Sequence, residues 1–109
     1  MSESFDETLD LLKDLNLEDF SKHSFRGIEK ESLRVSNKTI STTDHPASLG
    51  STLTNQFITT DFSEALLELI TNKKNTINSS LKQLEEILNF VYLNCEDTSW
   101  PSSVPCTIS

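Results

Sequence analysis

The sequence predicts an α+β fold in which strands are flanked by helices. Apolar residues recur every three to four positions in an early and a late segment, the period of a helix lying on a core. Between them, two segments alternate with a period of two, the period of a half-buried strand. The 109 residues, 35% hydrophobic and 24% charged, suffice for one small domain or for part of a larger one.

The formal net charge is -8, which argues against a nucleic-acid groove, because phosphate binding needs a surplus of Lys and Arg. A basic membrane-surface helix is excluded for the same reason. No apolar run approaches the ~20 residues of a membrane span, and the start, MSESFDETLD, is acidic where a signal peptide is basic. The expected compartment is the cytoplasm. Cys95 and Cys106 form no metal-binding spacing and have no secretory context, so both are read as reduced thiols rather than as a bridge.

Residues 1–20 hold seven acids and one Lys, so this acidic amphipathic helix region carries most of the charge imbalance. Ser4 and Glu7 have capping-box spacing, and Phe5, Leu9, Leu12 and Leu15 mark a helix over 4–16. Its acidic face is read as solvated, with partner docking as the alternative. From Ser24 to Val35 the period is two, placing Phe25, Gly27, Glu29, Glu31, Leu33 and Val35 on one side. Arg26, Ile28, Lys30, Ser32 and Arg34 fall on the other. Glutamates sharing a face with large apolar residues need a partner if that face is buried.

Asn37-Lys38 suits a turn, followed by an extended Thr39–Thr43 and a loop at Asp44-His45-Pro46. Pro46 opens a helical turn that ends at Leu49 before Gly50. Phe57–Thr71 begins with strand-like FITTDF and continues into SEALLELIT, ambiguous between helix and strand. Strand is favoured, because period two groups Glu64, Leu66, Glu68 and Ile70. Ile77, Leu81, Leu84, Leu88, Val91 and Cys95 then mark a long helix with Asn75 or Thr76 as its N-cap. WPSSVPCTIS, after Glu96, has no regular period, and residues 107–109 offer no closing element.

The informative constellation is Glu29-x-Glu31 on one strand with Asp61 and Glu68 at either end of another. If the strands are adjacent and antiparallel, these acids converge. Residues two apart on a strand face are ~6.5–7 Å apart, close enough for their carboxylates to share a cluster of hard cations. Crowded half-buried carboxylates repel and bind protons more tightly unless a divalent metal neutralises them. Oxygen-only ligation favours Mg²⁺ or Mn²⁺ over Zn²⁺. The commoner use of an E-x-E strand is an exposed ladder opposite Lys or Arg. Phe62 reads more readily as core than as a substrate contact. His45 suits a capping or turn role, His23 has no discernible partner, and Cys106 lacks a base to make it a nucleophile. No catalytic side chain is assigned. Two glycines cannot make a phosphate loop, so any nucleotide phosphates must be held by metal.

RGIEKESLRV at 26–35, TTDHPASLGS at 42–51, ITTDFSEALLELIT at 58–71 and WPSSVPC at 100–106 resemble, in order and spacing, the amino-terminal part of bacterial glutamate-cysteine ligases, the gamma-glutamylcysteine synthetases. The departures, Ser32 where the family commonly has Thr and Asp44 where it has Gly, remove no carboxylate. The family's enzymes are much longer, so the resemblance implies an amino-terminal fragment, residues 1–109 forming a single incomplete domain. It implies a partial glutamine synthetase-like carboxylate-amine ligase fold and strand at Ser63–Ile70. It also implies ATP-driven joining of the γ-carboxylate of L-glutamate to L-cysteine through a γ-glutamyl phosphate, the first step of glutathione biosynthesis. Glu29, Glu31, Asp61 and Glu68 are implied as ligands of Mg²⁺ (or Mn²⁺), and Phe62 as a wall of the cysteine pocket. Implied partners are glutamate, cysteine, ATP and the remainder of the ligase chain; the fragment alone is expected to be inactive. Two rival expectations are a small acidic binding or regulatory module derived from the ligase, and a related ligase acting on another amine.

Overall fold

The computed structural model describes residues 2–102, 104 and 106. The acidic start forms two helices, α1 (Ser2–Asp14) and α2 (Leu17–Lys22). The chain breaks between them because the Asn16 side chain accepts a hydrogen bond from Asp19 N at 3.1 Å and caps α2. Ser4 is therefore not a cap: it lies inside α1, where its carbonyl accepts from Thr8 Oγ1 at 2.8 Å. The expected apolar stripe exists but stays uncovered, with Phe5, Leu12 and Leu15 exposed.

The sheet is built from β1 (Glu29–Ser36), β2 (Thr39–Ile40), β3 (Ile58–Thr60) and β4 (Leu66–Ile70), ordered β2-β1-β4-β3, with β5 (Thr98–Ser99) also pairing β1. Every named pairing is antiparallel. β1 starts later than its alternation suggests; before it, Arg26 bridges to Lys74 and the Ile28 carbonyl accepts from Thr71 N at 3.0 Å. Asn37 and Lys38 both take positive φ, 50° and 66°, which makes the tight β1–β2 turn match the strand twist. Pro46 precedes a single 3-10 turn, Ala47–Leu49, that Gly50 ends at φ 83°, a conformation open to glycine without steric cost.

The expected strand over Phe57–Thr71 is two strands. Between β3 and β4 the chain turns at residues 61–65, where Ser63 accepts backbone hydrogen bonds from Ala65 and Leu66. Helix α3 (Ile77–Asn94) follows, its Thr76 side chain accepting from Ser79 N at 3.1 Å. Leu49, Ile58, Leu67, Leu69, Ile87 and Val91 form the core, with Phe57, Leu84, Leu88 and Cys95 against it. This places α3 on one face of the sheet. A buried Leu contributes about 1.5–3 kcal/mol relative to leaving it exposed, so α3 and the Leu67/Leu69 face are the main source of cohesion.

That arrangement reverses one expectation. Ser32 pairs with the fully buried Leu67, so the Ser32/Arg34 face of β1 is the covered one. Phe25 is 67% exposed, Glu29 and Glu31 are exposed, and Leu33 and Val35 are half-buried. Both cysteines are free, Cys95 half-buried at the end of α3 and Cys106 buried. β5 was not expected from the aperiodic WPSSVPC region; residues 107–109 lie outside the described residues.

Candidate functional site

Glu31 on β1 stands directly opposite Glu68 on β4, and Glu68 directly opposite Thr59 on β3. Paired residues of an antiparallel ladder project from the same face, so Glu31, Glu68 and Thr59 form one row across the sheet. Glu29 is two residues along β1, opposite Ile70, and shares that face. Asp61 follows β3 at the start of the turn, two residues beyond Thr59. Thus all four expected carboxylates belong to one neighbourhood on the face away from α3. Asp61 reaches it from a turn, however, and not from the strand that bears Glu68.

The electrostatics agree with this placement. The Glu68 carboxyl is held above its usual pKa by partial desolvation, then by the like charges of Glu29, Glu31 and Asp61. No Lys or Arg ion pair involves any of these four acids among the described residues. An exposed cross-strand ladder would place a cation opposite Glu31, whereas the register places another glutamate there.

Among the described residues, no three His, Cys, Asp or Glu side chains stand close enough together to hold one metal ion. The donor chemistry nevertheless fits a hard divalent cation. Mg²⁺ is usually bound by one or two carboxylates, with substrate phosphates and water completing its octahedron. Glu29, Glu31, Asp61 and Glu68 offer only carboxylate oxygen, and their mutual repulsion is what such a cation relieves. Phe62, beside Asp61, is 84% exposed and so is not core. Its ring is exposed in the turn that begins with Asp61.

The opposite face carries a feature not anticipated from sequence. Arg34, 1% exposed, donates through Nη1 to Ser41 Oγ (3.2 Å), Thr43 Oγ1 (3.0 Å) and the Asp97 carboxylate. Its Nη2 donates to the carbonyls of Thr43 (2.7 Å), Asp44 (3.3 Å) and Glu64 (2.9 Å). Asp97 also accepts from Ser41 Oγ at 2.7 Å. A mid-strand Arg between Leu33 and Val35 hints that an acid must pair with it. Its sequence does not reveal Asp97, 63 residues away.

The backbone N of His45 donates to Glu64 Oε2 at 3.1 Å. Its ring nitrogens are buried without hydrogen-bond partners among the described residues. Burial keeps the imidazole below the usual histidine pKa, assisted by the positive charge of Arg34. His23, for which no partner was expected, lies 3.5 Å from Asp19 on the same exposed helical turn.

The family model described as glutamate-cysteine ligase matches residues 9–109. The glutamate-cysteine ligase of Aliivibrio salmonicida is 43% identical over 90 residues, covering 81% of this chain and 17% of that enzyme. That of Vibrio vulnificus is 49% identical over 85 residues, covering 76% of this chain and 16% of the relative. Among solved structures, the glutamate-cysteine ligase of Francisella tularensis in complex with AMP superimposes with TM-score 0.74 and 38% identity, covering 79% of this chain and 18% of that one. A bifunctional glutathione synthetase from Pasteurella multocida gives TM-score 0.72 and 38% identity, covering 79% and 12%. The chain thus spans less than a fifth of the relatives it matches.

Proposed function

The chain belongs to the glutamate-cysteine ligase family, and from that premise we propose that it supplies the amino-terminal part of a longer ATP-dependent ligase. In this reading the whole enzyme joins the γ-carboxylate of L-glutamate to the amine of L-cysteine. The γ-carboxylate attacks the terminal phosphorus of ATP, releasing ADP. The cysteine amine then attacks the γ-glutamyl phosphate carbon, loses a proton and expels inorganic phosphate, leaving an amide.

The observation that carries this reading is the register that sets Glu31 against Glu68, with Glu29 and Asp61 beside them. These four residues would hold Mg²⁺ (or Mn²⁺), one or two carboxylates to each ion with substrate phosphates and water completing its shell. When bound, the cations neutralise phosphate charge as it shifts during transfer. The carboxylates orient that charge from a rigid sheet, and strands position ligands more closely than loops do. The exposed ring of Phe62 packs against the apolar stem of cysteine. The AMP held by the Francisella tularensis relative supports a nucleotide as the third substrate. The open carboxylate face and exposed Phe25 are covered by the remainder of the ligase chain. No helix among the described residues is long and apolar enough to cross a membrane, and the proposed compartment is the cytoplasm. The 109-residue chain has no ligase activity by itself.

The test is a chimera in which this chain replaces the matching segment of the Francisella tularensis enzyme, assayed for ADP release with glutamate, cysteine and Mg-ATP. Turnover that depends on all three substrates is expected, and Glu29→Gln should reduce kcat by at least roughly a hundredfold. Normal kcat and Mg²⁺ dependence in that variant would refute the ligand assignment. Turnover by the unjoined chain would refute its inactivity.

A further inference from the structure

Arg34 is the most heavily engaged buried side chain among the described residues, yet it points away from the carboxylate row. Its alternation with Leu33 puts it on the α3 side of β1, three residues beyond Glu31. Its Nη2 reaches the carbonyl of Glu64 at 2.9 Å, in the turn that begins with Asp61. Its backbone N donates to the Ala65 carbonyl in the same turn at 2.7 Å. One residue therefore grips, by main chain and side chain together, the segment that separates Asp61 from Glu68.

The grip is itself braced. Thr43 and Asp44 carbonyls bind the same nitrogen, and Asp97, just before β5, neutralises the guanidinium. The turn has few holds of its own: Ser63 contacts to Ala65 and Leu66, and the Glu64 carboxylate on His45 N. The backbone ladder holds the end of the turn at Leu66 against Leu33, and among these bonds the Arg34 guanidinium is the side-chain tie from β1 to the turn itself.

We propose that Arg34 is a positioning residue for the carboxylate row, setting where the turn holds Asp61 against the Glu31–Glu68 pair that the backbone ladder fixes, and so the affinity for divalent cation. The inference rests on the ligand reading of those acids. A planar guanidinium fork serves several acceptors in fixed directions, whereas the ammonium of Lys retains the charge and loses that geometry. Arg34→Lys thus separates charge from position.

The chain and its R34K variant are titrated with Mn²⁺, free ion being followed by electron paramagnetic resonance and folding by circular dichroism. Folded R34K should require on the order of tenfold more Mn²⁺ for half-saturation, the scale on which outer hydrogen-bond partners tune metal sites. Asp97→Asn, which keeps an acceptor oxygen but removes the counter-charge, should shift it in the same direction by less. A merely structural role would lower the folded fraction, and hence the uptake at saturation, without moving the half-saturating concentration. An unchanged half-saturation in folded R34K overturns the proposal; if R34K does not fold, D97N decides it by the same criterion. Failure of the unsubstituted chain to take up Mn²⁺ overturns both this proposal and the ligand reading beneath it.

Discussion

Replacing Glu68 by Gln should stabilise the metal-free chain and weaken its response to divalent cation, two opposite effects of one substitution. Glu68 faces Glu31 in the ladder and experiences Glu29 and Asp61 as further like charges. Paired residues have Cβ atoms ~5 Å apart. At that separation one pair of like charges costs about 0.8 kcal/mol in water-like surroundings, and more where solvent is partly excluded. Salt and side-chain freedom reduce this, so a gain of about 0.5–1 kcal/mol is expected. For a domain of this size that corresponds to a Tm increase of roughly 2–8 °C.

The pH dependence has a definite sign. Because the folded-state pKa of Glu68 is raised above its usual 4.5, its contribution to stability is greatest at low pH and falls as pH rises from about 4.5 through the raised value. The advantage of E68Q should therefore appear above that window and vanish below it. Thermal melts in EDTA at several pH values, repeated with saturating Mg²⁺, measure both effects. The unsubstituted chain should gain about 1.4 kcal/mol when the cation is at ten times its Kd, and E68Q clearly less. A lower Tm for E68Q in EDTA at neutral pH would refute the like-charge account, because it would mean that the ionised carboxylate is favourably paired.

Leu67→Ala, at a fully buried core position beneath α3, should cost about 3–5 kcal/mol by chemical denaturation and leave little folded protein. His45, whose imidazole is held below the usual 6.5 chiefly by burial, binds fewer protons folded than unfolded. Stability should thus rise with pH through the window ending near 6.5, and melts of His45→Gln should lose that component.

Elements governed by local chemistry were legible in the residues. The apolar recurrence from Ile77 and the Thr76 side chain specify α3 and its start. Asn37-Lys38 and Pro46 with Gly50 specify turns whose backbone angles match the residue types. The break between β3 and β4 was not legible, because FITTDFSEALLELI keeps strand-forming residues on both sides of it. The same holds for β5, whose Thr98 and Ser99 pair with Val35 and Arg34 far away in the chain. Short segments of this kind become strands only when an edge is presented to them.

The sequence by itself determined that Glu29 and Glu31 share a face, that strands lie between helices, and, through its ordered blocks, the ligase resemblance. Only the tertiary structure decided that Glu68 stands opposite Glu31 and that α3 covers the other face of the sheet. Period-two alternation tells which side chains travel together but carries no information on which side will be buried. That choice follows from where Leu67 and Leu69 meet Ile87 and Val91, and from the acceptors that make Arg34 tolerable inside. Both depend on contacts between distant segments, which no local pattern encodes.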